Sequence, residues 1–342
     1  MIGWLTFVGF AASLLITGGV RILALRLHLL DVPNDRSSHA IPTPRGGGFA
    51  IVLVTLSALG TLWAMDVIRL PVAIGIGGAG ASIATVGLLD DRFGIRPLVR
   101  FVVHLGAVIW FVVWCSDLLH NLDPSPLGPI LAISTALMIV ALVWAVNLFN
   151  FMDGIDGLGG SQSLFVAGLG SWFLLRADAA QGIGLLLAVV AAASAGFLVW
   201  NLSPARIFLG DVGSGFLGFL LAALSLLGSA ETHVPVATWV ILWGVFLVDA
   251  TVTLLRRMAV GERWYQAHRL HAYQGLSRRW SSHLRVTGAY LAVNLLWLAP
   301  MAYWSVLKPE FATVLAGVAV APLVITAWLL GAGVREIESG VA

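Results

Sequence analysis

Long apolar segments recur along the whole chain and alternate with short polar connections. Each segment approaches the ~20 residues that a helix needs to cross a bilayer. Short alternating strands of the outer-membrane barrel kind are absent from the sequence, and a backbone in lipid must satisfy its hydrogen bonds within one segment. The pattern therefore predicts an all-α integral membrane protein, a polytopic bundle of about 11 transmembrane helices. The predicted spans are 2–20, 47–65, 70–89, 98–115, 129–146, 161–175, 182–200, 213–228, 236–255, 286–304 and 311–331.

The composition supports the same class of protein. Of 342 residues, 59% are hydrophobic and 11% are charged, and the mean hydropathy is +0.95, whereas a soluble domain carries about 25% charged residues. Arg21 follows the first apolar run and no charged residue precedes it, which is the wrong polarity for a cleaved signal peptide. The single cysteine, Cys115, excludes an intrachain disulfide. We predict one polytopic membrane domain over residues 1–342.

The basic residues are distributed unevenly between the two sides of the predicted bundle. The chain has 19 Lys and Arg against 17 Asp and Glu, a balance too even to indicate nucleic acid as a partner. Sixteen of the 19 lie on one side, and Arg69, Arg176 and Lys308 lie on the other. Because cytoplasmic connections carry the excess of Lys and Arg, we predict a cytoplasmic C-terminus and an N-terminus on the opposite, periplasmic side.

The most informative polar segment is 147–160, between two apolar spans on the basic side. Asn147, Asn150, Asp153 and Asp156 follow one another at three-residue spacing, which keeps them on one face of a helical turn. The glycines after them favour a turn over a continuing helix. Because ionisable groups at a membrane boundary are costly and usually face a cavity, we interpret the segment as part of a functional site. The alternative is a polar loop between spans.

Further carboxylates lie on the same side. Asp90 and Asp91 end the third predicted span, and adjacent carboxylates raise one another's pKa unless a cation sits between them. We favour a metal-linked or catalytic role for them over a structural pair. Asp211 stands in a glycine-rich turn at the start of a span, where metal binding and helix capping are compatible roles. Asp249, inside the ninth predicted span, either pairs with an arginine or faces the cavity.

Two basic segments complement these carboxylates. Residues 31–48 contain three prolines and three consecutive glycines, and such glycines let backbone N–H groups approach an anion; the alternative is a simple loop. The segment around 268–271 groups imidazoles and a guanidinium within one turn, which suits a diphosphate. Zinc fits less well because no thiolate or third close ligand accompanies the histidines. The basic candidates are Arg36, His39, Arg45, His268, Arg269 and His271.

Carboxylates for a divalent cation and basic groups for phosphate on one face describe a phosphoryl-transfer site. Mg²⁺ fits better than Ca²⁺ or zinc, because one or two carboxylates bind it together with water and substrate phosphate; Mn²⁺ is the alternative ion. A rival interpretation is a secondary transporter with an anionic-substrate site, although the polar residues crowd one face and no internal repeat is visible. A third is a scaffold whose loops bind phospholipid headgroups.

Four motifs carry a family resemblance. They are Asp90-Asp91, Asn147-x-x-Asn150-x-x-Asp153-Gly-x-Asp156-Gly, Phe208-Leu-Gly-Asp211-Val-Gly-Ser214 and the His268–His271 loop. In order, spacing and side they resemble the polyprenyl-phosphate N-acetylaminosugar-1-phosphate transferases of glycosyltransferase family 4, which include the phospho-MurNAc-pentapeptide translocase and the enzymes that initiate O-antigen and common-antigen synthesis. The resemblance covers about residues 20–330.

The resemblance implies transfer of a sugar-1-phosphate from a UDP-N-acetylaminosugar to undecaprenyl phosphate, in a bacterial inner membrane and with Mg²⁺. The products would be undecaprenyl-diphospho-sugar and UMP. The sequence leaves a homodimer open as the assembly. By match of motifs, Asp211 and Asn150 would contact the metal, and Asp90 and Asp91 the attacking lipid phosphate. Asp153 and Asp156 would complete the catalytic set beside the nucleotide. The substrate-binding residues would be Asn147, Asn150, Arg36, His39, Arg45, His268, Arg269 and His271.

One departure from the family pattern concerns the histidines. The translocases have a run of adjacent histidines in this loop, whereas here the pair is split as His268-Arg-Leu-His271. The split pair argues against a MurNAc-pentapeptide donor. The sequence looks more like the transferases that start O-antigen-type glycans on GlcNAc or on a deoxy-N-acetylsugar such as FucNAc or QuiNAc. One-step and two-step mechanisms are both compatible with the motifs.

Overall fold

The computed structural model describes residues 2–31, 42–122, 129–177, 180–262 and 268–334, which form helices and one pair of two-residue strands. The strands β1 (Leu30–Asp31) and β2 (Thr43–Pro44) pair antiparallel. The helices are α1 (Ile2–Arg26), α2 (Phe49–Ala64), α3 (Leu70–Phe93), α4 (Pro97–Trp114), α5 (Ser116–Leu119), α6 (Pro129–Met152), α7 (Leu158–Leu175), α8 (Gln181–Asn201), α9 (Asp211–Glu231), α10 (Val236–Leu242), α11 (Gly244–Ala259), α12 (Ala272–Trp280), α13 (His283–Val293), α14 (Ala299–Leu307) and α15 (Ala312–Leu329).

The helical membrane architecture predicted from hydropathy is confirmed. Within the described residues, nine helices are long and apolar enough to cross a membrane, with His283–Leu307 counted as one. The helices α10 and α11 pass the same test together but meet at 78°, so the ninth predicted span is not straight: the pair is either a broken span, which gives ten spans, or a re-entrant loop. The remaining predicted span corresponds to α2, a shorter apolar helix of 16 residues. The β1–β2 pair was not predicted.

The helices differ in how deeply they lie in the bundle. α7, α8 and α9 are mostly buried and form its centre, whereas α1, α4 and α15 bury a small part of their surface. The peripheral helices carry large exposed apolar side chains such as Leu15, Val113 and Leu329. A helix that is apolar all round suits contact with both protein and lipid, so the peripheral helices present these side chains to the bilayer. The polar connections then extend from a rigid central group of helices.

The starts of α2 and α9 touch backbone to backbone. The N–H groups of Gly47 and Gly48 donate to the carbonyls of Phe208 and Leu209 at 2.9 and 2.8 Å. A Cβ atom on Gly48 would overlap the Cα of Gly213 and would lie 2.9 Å from the Leu209 carbonyl oxygen. The sequence suggested that these glycines free N–H groups for an anion, but the two N–H groups are bonded to carbonyls. The glycines instead allow close packing of two polar connections.

Gly48→Ala is therefore expected to destabilise the protein by about 3 kcal/mol, because overpacking forces the backbone apart. The φ of −61° at Gly48 suits alanine, so the effect would be steric alone. Gly60→Ala is the matched control, because Gly60 lies in the same helix with open space around its Cα. Thermal unfolding in detergent should show a lower midpoint for Gly48→Ala and an unchanged or higher one for Gly60→Ala. Equal midpoints would contradict the close approach.

Candidate active site

Asp91 caps the first turn of α9. Its Oδ1 accepts a hydrogen bond from the Asp211 N–H at 2.9 Å, and its Oδ2 accepts one from the Val212 N–H at 3.1 Å. Gly210 has a φ of 77° and no side chain, and a Cβ there would lie 2.6 Å from Asp91 Oδ2. A carboxylate is favourable at a helix N-terminus because the helix dipole is positive there. Asp91 thus fixes the end of α3 against the start of α9 and sets the position of Asp211.

Asp90 and Asp211 converge on one nitrogen atom. Arg100 Nη1, from α4, donates to Asp211 Oδ2 at 2.8 Å and also to Asp90 Oδ2. The other oxygen of Asp90, Oδ1, accepts the Ile95 N–H at 2.5 Å. Two carboxylates that approach one point repel each other unless a cation lies between them. The guanidinium of Arg100 supplies that positive charge.

The oxygen donors around this point fit a hard divalent cation. Asn150 Oδ1 accepts a hydrogen bond from the Ser214 hydroxyl at 2.8 Å, one turn along α9 from Asp211. Carboxylate and amide oxygens are the ligands that Mg²⁺ takes, usually with few protein ligands and several waters. No group of three or more His, Cys, Asp and Glu that could hold a metal ion occurs among the described residues. Asp90, Asp211 and Asn150 offer oxygen ligands of this kind, and the metal contacts predicted for Asp211 and Asn150 stay predictions.

The segment that follows Asn150 lies between α6 and α7. Asp153 accepts the Gly159 N–H at the start of α7, and burial together with the charges of Asp91 and Asp156 raises the pKa of its carboxyl well above the ordinary value. Asn147 lies a turn earlier on α6, and its amide donates to the Val143 carbonyl of the same helix at 2.7 Å. Asp153 is thus electrostatically coupled to the site, and the roles predicted for both residues stay predictions.

Asp156 joins three parts of the chain. Its Oδ1 lies 3.1 Å from His283 Nδ1 at the start of α13, and its Oδ2 accepts the Ala205 N–H at 3.2 Å. Its own backbone carbonyl accepts the Thr287 hydroxyl at 2.8 Å. Burial acts to raise the pKa of Asp156, but the hydrogen bond and charge of His283 and the Ala205 N–H hold it below the ordinary value. These contacts describe a structural anchor, and the predicted catalytic role of Asp156 stays untested by them.

Asp249 anchors the histidine loop from helix α11. Its Oδ1 accepts the Ala272 N–H at 2.8 Å, and its Oδ2 accepts the Tyr273 N–H at 3.0 Å and the Tyr290 hydroxyl at 2.7 Å. His271 is buried, with its Nδ1 3.6 Å from Asp249 Oδ1. The partners of Asp249 include the start of α12, a tyrosine, a threonine and a histidine rather than the arginine that one prediction gave it, and its place in the cavity stays a prediction.

The same loop is tied to the acidic segment by Tyr273. Its hydroxyl donates to the Phe151 carbonyl at 2.9 Å, and a Cβ atom on Gly154 would overlap that hydroxyl. Gly154 is therefore a glycine because a buried tyrosine passes over it. The histidine loop and the 147–160 segment, distant in sequence, meet at this contact.

His268 and Arg269 lie at the outer part of the histidine loop and are half-buried. The ring centroids of His268 and His271 are 4.9 Å apart, and His268 Nδ1 accepts the Leu270 N–H at 3.3 Å. Burial, with the charges of His271 and Arg257, lowers the pKa of His268 to about 3. His268 is therefore neutral at pH 7. The Arg269 carbonyl accepts a hydrogen bond from Arg278 Nη1 at 3.2 Å.

The remaining candidates belong to residues 31–48. Arg45 Nη2 forms a 2.6 Å ion pair with Asp31 Oδ2, and its guanidinium acts electrostatically on Asp91 and Asp211. Arg45 is thus near the converging carboxylates, as its predicted role in substrate binding requires. Arg36 and His39 lie outside the described residues.

Arg100 and His283 were not among the predicted site residues. Arg100 is the one charged residue of α4, whose sequence is otherwise apolar apart from His104. A lone charge in a membrane helix is costly and needs a partner, and this signal could have identified Arg100. The pairing of His283 with Asp156 joins positions 127 residues apart, and no local pattern points to it.

Known proteins resemble this chain over most of its length. The family model described as "Glycosyl transferase family 4" matches residues 73–229. A Bacillus subtilis (strain 168) protein named "Probable undecaprenyl-phosphate N-acetylglucosaminyl 1-phosphate transferase" is 32% identical over 290 residues, covering 80% of this chain and 78% of the relative. The "Decaprenyl-phosphate N-acetylglucosaminephosphotransferase" of Mycobacterium tuberculosis (strain ATCC 25618 / H37Rv) is 29% identical, covering 87% and 81%. A "Phospho-N-acetylmuramoyl-pentapeptide-transferase" of Synechococcus elongatus is 30% identical over 66% of this chain and 63% of the relative.

Proposed function

The chain belongs to glycosyl transferase family 4 and is a multi-pass membrane phosphoglycosyltransferase, and we propose that it transfers N-acetylglucosamine-1-phosphate from UDP-GlcNAc to undecaprenyl phosphate. The products would be undecaprenyl-diphospho-GlcNAc and UMP. The observation that carries the proposal is the convergence of Asp90 and Asp211 on one cation, Arg100 Nη1. Two carboxylates held against one positive centre, with a basic loop attached to the same site, suit a reaction that joins two phosphates.

The chemical difficulty lies in bringing the two substrates together. A phosphate monoester has a second pKa near ~6 and is largely dianionic at neutral pH, so it is already a nucleophile. Its approach to a nucleoside diphosphate is opposed by charge repulsion, which preorganised positive groups offset. A bound Mg²⁺, or Mn²⁺, would neutralise charge on the phosphates, with Asp90, Asp211 and Asn150 as the residues that hold it.

The other residues position this centre. Both carboxylate oxygens of Asp91 accept backbone hydrogen bonds from the first turn of α9, and these bonds fix the position of Asp211. The proposal gives Asp91 a positioning role and leaves Asp90 as the carboxylate nearest the acceptor. Arg45 adds positive charge within reach of Asp91 and Asp211. Proton abstraction is not needed from any of them, since the acceptor phosphate is ionised.

The donor would occupy the side of the site bounded by the histidine loop. Tyr273 holds that loop against the 147–160 segment, and Arg269 offers a planar fork to the diphosphate. His268 is neutral at pH 7 because burial lowers its pKa to about 3, so it would act through hydrogen bonds to the sugar or phosphate rather than through charge. Asn147 and Asp153 would lie beside the nucleotide.

The choice of GlcNAc rests on two observations. The relatives from Bacillus subtilis and Mycobacterium tuberculosis are named for N-acetylglucosamine, and the split pair His268 and His271 differs from the adjacent histidines of the translocases. The product would start an O-antigen or related cell-envelope glycan in a bacterial inner membrane.

The orientation in the membrane is proposed from charge, with the candidate active site on the cytoplasmic face. The Arg69–Glu231 ion pair of 2.6 Å then marks the periplasmic face, because Glu231 ends α9 opposite Asp211. A reporter active only outside the cytoplasm is expected to be silent when fused after Ala342 and active when inserted in the 232–235 connection. Reversed signals would contradict the orientation, and equal signals would contradict an odd number of membrane crossings between the two positions.

The reaction itself is tested with purified protein, UDP-GlcNAc, undecaprenyl phosphate and Mg²⁺. UMP release that requires all three additions, together with the lipid-linked sugar in the organic phase, is the expected result. Decaprenyl phosphate and a UDP-linked 6-deoxy-N-acetylsugar are the comparison substrates, and a higher kcat/KM with either would change the assignment of that substrate. UDP-GlcNAc uptake into proteoliposomes without UMP release would favour a transporter instead.

A further inference from the structure

Arg100 lies between the two carboxylates that are proposed to hold the divalent cation. Its Nη1 lies against Asp90 Oδ2 and Asp211 Oδ2, and these are the two carboxylate oxygens that point to a common centre. The remaining Asp90 oxygen is bonded to the Ile95 N–H. A metal ion that used these two oxygens would therefore have to displace the guanidinium.

We propose that Arg100 and the divalent cation compete for Asp90 and Asp211, and that cation binding releases the guanidinium to the substrate phosphates. The inference rests on the proposed function, because it takes the cation and the phosphates from it. In the absence of substrate, Arg100 neutralises the carboxylates and keeps the site intact without metal. Once displaced, its planar fork is suited to two phosphate oxygens, at the place where negative charge from both substrates accumulates.

The competition makes cation binding and substrate binding cooperative. Without substrate, cation binding breaks both Arg100 ion pairs, and this free-energy cost weakens the apparent affinity of the site for the cation. A donor diphosphate offers Arg100 a new partner and so favours the displaced state, which raises cation affinity. By linkage the cation must raise donor affinity by the same factor. Direct contact between the cation and the diphosphate would also couple the two ligands, so the share that depends on Arg100 is what a variant of this residue must remove.

Arg100→Gln separates these possibilities because it removes the competing charge at similar length. Without substrate, the variant is expected to bind Mn²⁺ about tenfold more tightly than the native protein, which corresponds to about 1.4 kcal/mol. The increase in Mn²⁺ affinity on adding UDP-GlcNAc should shrink, and kcat should fall. Arg96→Gln is the matched control, because Arg96 is an exposed arginine at the start of the same helix. It should bind Mn²⁺ like the native protein.

The measurement is a titration of free Mn²⁺ by electron paramagnetic resonance, with detergent-purified protein and no substrate. Asp211→Asn locates the ion, since it should abolish most of the binding. The competition would be overturned if Arg100→Gln bound Mn²⁺ as well as or more weakly than the native protein. It would also be overturned if neither the native protein nor any variant bound Mn²⁺, or if Asp211→Asn bound it unchanged. UMP release measured on the same native preparation tests the reaction separately, so a failed competition with normal turnover leaves the proposed function standing.

A second measurement needs no variant of Arg100, in case Arg100→Gln does not fold. Phenylglyoxal modifies accessible guanidinium groups, and mass spectrometry gives its extent at each arginine. Mn²⁺ is expected to increase modification of Arg100 in the native protein and to leave Arg96 unchanged. Reduced or unchanged modification of Arg100 at a Mn²⁺ concentration that fills the site would overturn the proposal.

Discussion

Asp211→Asn is expected to lower kcat by about 10³-fold, equivalent to about 4 kcal/mol of transition-state stabilisation. The substitution keeps the size of the side chain and removes one negative charge from the proposed cation site. The first turn of α9 should survive, because its N–H groups are bonded to Asp91 and not to the Asp211 side chain. Initial rates of UMP release at saturating UDP-GlcNAc, with thermal unfolding as a test of folding, measure both expectations.

Glu231→Gln is the matched control, since it makes the same change at the opposite end of α9. Glu231 pairs with Arg69 in an ion pair whose guanidinium side is open to solvent, with side-chain exposures of 15% for Glu231 and 60% for Arg69, and solvent-screened ion pairs contribute little to stability. Turnover of Glu231→Gln should stay within about twofold of the native rate. An Asp211→Asn variant with near-native turnover at limiting Mg²⁺ would remove Asp211 from the cation site. A variant with a sharply lowered unfolding midpoint would show that the carboxylate supports the fold.

The helices could be predicted from the sequence because hydropathy and length determine whether a segment can cross a bilayer. The ninth predicted span illustrates what hydropathy does not contain. Residues 236–255 are mostly apolar, yet the chain turns by 78° between α10 and α11. Composition reports how apolar a segment is and not the direction of its axis. The β1–β2 pair was not predicted for a related reason: strands of two residues are too short to show an alternating hydrophobic pattern.

The sequence identified the candidate site residues, whose roles stay predictions, but not their pairings. Asp90 and Asp211 meet at Arg100, which the sequence placed only at a span end. The glycines at 46–48 suggested an anion site, whereas Gly47 and Gly48 bond to the carbonyls of 208–209. A glycine pattern shows that a backbone needs a close neighbour and does not show which neighbour it has. Long-range pairings are set by the packing of helices.

Asp249→Asn is expected to destabilise the protein by about 3 kcal/mol, because it leaves buried donors without acceptors. Both carboxylate oxygens accept hydrogen bonds, from Ala272 N–H on one side and from Tyr273 N–H and the Tyr290 hydroxyl on the other. An asparagine presents an NH₂ group to one of these sides in either orientation. The start of α12 would loosen, and His271 beside it would lose its fixed position, so the KM for UDP-GlcNAc should rise.

Tyr290→Phe tests the tyrosine hydrogen bond apart from the bonds to the start of α12. It removes the hydroxyl that donates to Asp249 and leaves the two backbone N–H bonds in place. Its cost should be about 1.5 kcal/mol, half that of Asp249→Asn. Thermal unfolding in detergent gives the stability order, and donor saturation curves give KM. Equal losses in the two variants would mean that the tyrosine, and not the start of α12, is what Asp249 holds. If folded Asp249→Asn had the native KM for UDP-GlcNAc, Asp249 would not position the histidine loop. Contacts other than those of Asp249 would then hold that loop in place.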